Sequence, residues 1–262
     1  MVSAEPVPST GGHMTIWEHL AELRSRLVKV AIAVGVGTIA GWFLFPYFLD
    51  ALLVPFREIQ PGKDVIATEP LQAFTLRLQM SVYIGIAIAM PVILWQLWRF
   101  ITPALYPHEK KYAIPFTVSA LVLFFAGATL AYYILNPTLE FLTTIGGPDI
   151  EPFYTAPSYI NLIVWMMLAF GIGFEFPVIL VALQLIGIVK PRTLLGWWRP
   201  ATVIVVLIAA IITPSGDPIS MTALALPMLV LYFGSIGIGA LILKLRGRKQ
   251  RKAADRAEDV DA

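Results

Sequence analysis

The chain has 262 residues, 58% of them apolar and 14% charged, with a net charge of +2 and a mean hydropathy of +0.76. A soluble domain is about half apolar and about a quarter charged. Here apolar runs of about 20 residues, the length of a membrane-crossing helix, recur six times, which excludes a water-soluble enzyme or nucleic-acid-binding module. The absence of cysteine removes disulfides and thiolate chemistry, and three histidines leave little for a histidine metal centre.

Residues 1–14 are rich in Pro, Ser and Gly and read as a disordered lead. Residues 15–245 read as one membrane domain, and 246–262 as a charged cytoplasmic tail. The segment Trp17–Leu27 has an amphipathic pattern. Leu20, Leu23 and Leu27 share one helical face, and Glu18 and Glu22 lie on an adjoining one. Spacing alone makes this a helix lying in the interface before the first span; carboxylate recognition of a basic ligand is the reading that uses the acids. The first span is Leu27–Leu49, and Pro55 is expected to stop a short amphipathic segment after it. The second is Leu71–Phe100, with Arg77 near its start, where a long basic side chain is expected to snorkel outward.

Two prolines and a tyrosine stiffen the connection Phe100-Ile-Thr-Pro103-Ala-Leu-Tyr106-Pro-His108-Glu109-Lys110-Lys111. Glu109 is the acid on an otherwise basic face. It either pairs with a neighbouring lysine and caps the third span, Tyr112–Leu135, or receives an incoming cation. The fourth span, Tyr159–Ile186, carries Glu175 midway, in Ala169-Phe-Gly-Ile-Gly-Phe-Glu-Phe-Pro177. A charged carboxylate at a helix centre costs about 2.5–3.5 kcal/mol on insertion scales. It is either a polar site for a partner or a proton, or a protonated group hydrogen-bonded within the bundle. Pro177 leaves the carbonyl of Gly173 without a helical donor, so polar groups cluster there. The fifth span, Pro200–Thr213, rises only about 21 Å against a hydrocarbon core of about 30 Å. Asp217 falls in a tight turn before the sixth span, Ile219–Leu243.

Sixteen of the nineteen Lys and Arg residues fall on one side of this arrangement. By the positive-inside rule both termini are expected in the cytoplasm, in the cytoplasmic (inner) cell membrane. There is no G-x-x-x-x-G-K-[ST], H-E-x-x-H or G-x-S-x-G, so no enzyme and no cofactor is expected.

Five stretches together resemble the TatC family, the multi-spanning subunit of the twin-arginine protein translocase. They are His19-Leu-Ala-Glu22-Leu-Arg24-Ser-Arg26-Leu27, Ala89-Met-Pro91-Val-Ile-Leu-Trp-Gln96-Leu-Trp98, Phe100–Glu109, Ala169–Pro177, and Thr213-Pro214 followed by Asp217. They run in the family's order from about Thr15 to Leu243. The resemblance implies an all-α polytopic fold of six helices forming a concave bundle with a short fifth helix. It implies that the cytoplasmic face binds twin-arginine signal peptides of folded substrates through Glu22, Arg24, Phe100, Pro103, Tyr106 and Glu109. It also implies that Glu175, Pro177 and Gln96 form an intramembrane polar site for single-span partners of the TatA/TatB type, and that Pro55 and Asp217 act in outer-side assembly. Transport is then driven by the proton motive force, in a complex holding several copies of the chain, with no nucleic acid involved. One departure is an extra residue in Ser215-Gly216 before Asp217. A guanidinium presents a rigid donor fork that suits a carboxylate, and lysine lacks it, so such a reader would distinguish Arg from Lys. The competing reading is a proton-coupled small-solute transporter with Glu175 as the coupling carboxylate; it needs interrupted helices around a midplane site.

Overall fold

The computed structural model describes residues 16–62, 65–101, 113–147 and 155–261. They form eight helices: α1 Ile16–Ile59, α2 Gln72–Ile101, α3 Ala113–Thr144, α4 Ala156–Gly173, α5 Phe176–Ile186, α6 Pro191–Gly196, α7 Trp198–Ile212 and α8 Pro218–Asp261. Among the described residues the β-structure is one isolated parallel bridge, Ile66 to Thr155, which ties the segment after α1 to the start of α4. Five helical segments are long and apolar enough to cross a membrane, α4 and α5 counting together; α7, with 15 residues, is shorter.

Large apolar side chains face outward. On α1, Ile32, Val36, Ile39, Phe43 and Tyr47 repeat every three or four residues and are 62–75% exposed. A patch of that extent would not survive in water; in lipid it is the surface a spanning helix presents. The interior is packed by shape, because lipid tails offer no hydrophobic drive for helices to associate. Small residues set the α1–α2 crossing. A Cβ on Gly37 would stand 2.5 Å from the Gly85 carbonyl oxygen, and one on Gly41 2.5 Å from that of Ser81. The main core then gathers Met80, Leu135, Tyr159, Phe170 and Leu224 from α2, α3, α4 and α8.

The helices differ from the sequence expectations at four places. The amphipathic segment Trp17–Leu27 is not a separate helix: α1 is continuous from Ile16, and no proline interrupts it before Pro46. Pro55 does not stop the chain either, since α1 runs on to Ile59. The carbonyl Pro55 frees, on Ala51, accepts the Tyr132 hydroxyl at 2.8 Å, and Leu52 O accepts the Tyr159 hydroxyl at 2.9 Å. The fourth span is two helices, broken at Phe174–Glu175. Finally, the sixth span and the tail are one helix, because nothing between Leu243 and Asp261 breaks it.

Candidate functional site

Three polar positions stand apart from this apolar frame. The first is at the end of the bundle where α1 begins and α2 finishes. Glu22 and Arg26 are one helical turn apart, and the guanidinium binds Oε1 of Glu22 through Nη2 and through Nε at 3.1 Å. Nη1 of Arg26 donates across to Oε1 of Gln96 on α2 at 3.4 Å. Oε2 of Glu22 is enclosed and has no partner among the described residues. Beside them the His19 ring stacks on Phe100 with centroids 4.3 Å apart. Arg24 is exposed on α1. The structure thus joins Glu22, Phe100 and Gln96, which the sequence had assigned to different sites: Gln96 bonds to Arg26, not to Glu175. Arg26 was missed as a site residue, although its i,i+4 spacing from Glu22 is a helix-pair signal. Pro103, Tyr106 and Glu109 lie outside the described residues.

The second position is the α4–α5 break. Pro177 is the second residue of α5, where a missing N–H costs nothing. Glu175 precedes that helix. Its backbone oxygen accepts from Val178 at 3.0 Å and Ile179 at 3.2 Å, but its side chain makes no capping bond. The carboxyl is half-buried, and Oε1 is enclosed without a partner among the described residues. The same helical row of α4 carries Asn161, whose Oδ1 accepts from Nε2 of Gln79 on α2 at 2.8 Å. Trp165, on that row, is 53% exposed. The row 161, 165, 168, 172, 175 is one face by spacing, so a membrane-facing strip carries polar groups at both ends. Gln79 and Asn161 were not singled out from sequence; isolated amides give no motif.

The third is the turn between α7 and α8. Asp217 is 3% exposed and caps α8: its Oδ1 accepts the Ser220 N–H at 2.7 Å, and its Oδ2 accepts the hydroxyls of Ser215 and Ser220. Burial alone would raise this carboxyl's pKa; the serine hydroxyls and the Ser220 and Ile219 N–H groups outweigh it and hold the carboxyl below the ordinary aspartate value. Gly216, with φ +59°, takes the left-handed conformation that glycine adopts without steric cost in this turn. Pro55 is buried in the last quarter of α1, beside the Ala51 and Leu52 carbonyls already described.

This fold, with carboxylates at a helix break and at one end, defines a multi-pass α-helical membrane protein. The family model described as Sec-independent protein translocase protein (TatC) matches residues 18–227. Relatives bearing that name include proteins from Aquifex aeolicus (36% identity, 91% of this chain and 98% of the relative) and Xylanimonas cellulosilytica (33%, 96% and 93%). A Frankia casuarinae relative is 36% identical over 87% of this chain, which spans 66% of that longer protein. Two crystal structures titled twin-arginine translocase receptor TatC superpose with TM-scores of 0.70 and 0.73 at 35% and 36% identity. They cover 86% and 85% of this chain and 99% of theirs. The chain belongs to the TatC family of Sec-independent protein translocase proteins.

Proposed function

We propose that the chain is the receptor subunit that docks twin-arginine signal peptides at the α1–α2 end, with that end and both termini in the cytoplasm and α7 as the sixth, short crossing. The observation that carries this is the half-buried Glu22, held on one oxygen by Arg26 while Oε2 has no partner among the described residues. A carboxylate oriented in advance and not fully satisfied suits a guanidinium fork. Phe100, stacked on His19, supplies an adjoining flat surface, and Glu109, Pro103 and Tyr106 follow within nine residues in sequence. Two carboxylates, Glu22 and Glu109, then serve two consecutive arginines. Glu175 offers a hydrogen-bonding group to the membrane helix of a single-span partner; Gly171 and Gly173 beside it face inward, against Phe124 of α3 and against Leu224 and Met228 of α8, so the partner meets the exposed Ile172 side of the strip instead. Movement of substrate draws on the proton motive force.

The test is binding of a twin-arginine peptide to the full chain and to the Glu22→Gln/Glu109→Gln variant. Loss of one partner of a charge-assisted bond costs about 1.5–3 kcal/mol, so affinity falls ten- to a hundredfold. Unchanged affinity in the double variant refutes the carboxylate clamp.

A further inference from the structure

Two helical rows face each other at the end of the bundle where α1 begins and α2 finishes. His19, Glu22 and Arg26 follow a turn apart on α1, as Gln96 and Phe100 do on α2. The rows meet at both ends. The His19 ring stacks on Phe100 with centroids 4.3 Å apart, and Nη1 of Arg26 donates to Oε1 of Gln96 at 3.4 Å. Glu22 lies between these contacts in sequence. Its Oε1 receives both Nε and Nη2 of Arg26, one N–H for each lone pair. Its Oε2 is enclosed and has no partner among the described residues. The side chains of Arg26 and Glu22 are 13% and 21% exposed, so this is not a solvated surface pair. An arriving guanidinium meets one oxygen already filled and the other enclosed.

The group already seated on Glu22 is chemically the group that a twin-arginine peptide brings. We infer, on the footing that Glu22 docks the signal peptide, that Arg26 is an internal stand-in for one signal arginine and that docking exchanges one guanidinium for another on Glu22. Gln96 receives the displaced side chain. Its amide oxygen lies 3.4 Å from Nη1, beyond the usual N–H···O distance, and that bond shortens once Arg26 leaves the carboxylate. The exchange is favoured because a ligand fork takes both carboxylate oxygens at once, whereas Arg26 holds Oε1 alone. An enclosed acceptor without a donor is costly, and the exchange removes that cost at Oε2. Arg26 therefore lowers the affinity of every ligand that must displace it by one common factor. It sets how tightly the site binds, while the ligand's own fork sets the preference for Arg over Lys.

The probe is a fluorescent twin-arginine peptide titrated into the full chain in nanodiscs, with its dissociation constant read by anisotropy. Arg26→Met removes the competitor and should tighten binding about three- to tenfold. Arg26→Lys keeps the charge without the fork and should tighten it by a smaller factor; it also carries the test if Arg26→Met does not fold. Gln96→Leu removes the fallback acceptor and should weaken binding about threefold, but not when Arg26→Met is already present. Glu22→Gln is the control for the docking site itself. If Glu22→Gln weakens binding and Arg26→Met weakens it too, Arg26 orients the carboxylate and the exchange is overturned. Unchanged affinity in Arg26→Met makes the pair structural and overturns it as well. So does an Arg26→Lys affinity equal to that of the wild type, since charge alone would then be the cause. If Glu22→Gln itself changes nothing, docking at Glu22 fails, and the exchange fails with it.

Discussion

Arg77 donates from Nη2 to the carbonyl oxygen of Trp42 at 3.1 Å, and its guanidinium lies over the Trp42 ring, 4.5 Å from the centroid. Trp42 is four residues before Pro46, so its carbonyl is the one that proline leaves without a helical N–H. The same device recurs at Pro55, where the Tyr132 hydroxyl supplies the donor for Ala51. A spanning helix tolerates proline when neighbouring groups satisfy the freed carbonyl. Arg77 is therefore a structural donor from α2 to α1, not a side chain extended to the aqueous edge.

The first prediction is a double-mutant cycle on that pair. Arg77→Met should destabilise the protein in detergent by about 1–3 kcal/mol, the cost of a buried carbonyl left unpaired. In a Pro46→Ala background, where the helix supplies its own N–H, the same change should cost measurably less. Equal costs in both backgrounds would sever the link between Arg77 and Pro46.

Helix crossing gives a second test. A Cβ on Gly85 would meet Thr38 N at 2.5 Å, whereas one on Gly35 meets nothing within 4 Å. Gly85→Leu should abolish folding into a monodisperse species, and Gly35→Leu should be tolerated. Size-exclusion profiles of the two variants read this directly; similar behaviour of both would contradict the close α1–α2 approach.

Asp217 supplies a pH signature. Its folded pKa lies below the unfolded one, so its contribution is present above the ordinary aspartate value and is lost as pH falls through the depressed folded value. Asp217→Ala should cost about 0.5–2 kcal/mol at neutral pH, as for other N-caps. The gap in thermal stability between the wild type and Asp217→Asn should narrow as pH is lowered below about 4. A gap that widens there would show that the carboxylate is not the stabilising form.

Much of the architecture was legible because it is written in one variable, apolar run length. The order of the spans and the short α7 follow from hydropathy and run length, whereas the break at Phe174–Glu175, inside what reads as one span, does not. What sequence hid were pairings between helices. Nothing local tells that Arg77 serves the carbonyl freed by Pro46, or that Gln96 meets Arg26 rather than Glu175. Those partners are 35 and 70 residues apart, and only the crossing angles bring them together. The continuity of α1 through Pro55 was hidden for the same reason: its compensating donors come from α3 and α4.

Glu175 separates a partner-binding role from a packing role. Glu175→Gln keeps size and hydrogen-bonding capacity and should retain most crosslinking to a single-span partner. Glu175→Leu should lose it while twin-arginine peptide binding persists. Partner crosslinking and export that survive Glu175→Leu would make the residue structural.

The most direct test of signal docking compares two peptides on one protein. A twin-arginine signal peptide with a photocrosslinker beside the arginine pair is bound to the full chain, and the same peptide with a lysine pair serves as its counterpart. The arginine peptide should crosslink to residues around Glu22 and Phe100, and exchange to lysine should lower affinity ten- to a hundredfold, the value of about 1.5–3 kcal/mol for charge-assisted pairing. Equal affinity and equal crosslinking of the two peptides would contradict recognition by a guanidinium-specific carboxylate site at this end of the bundle.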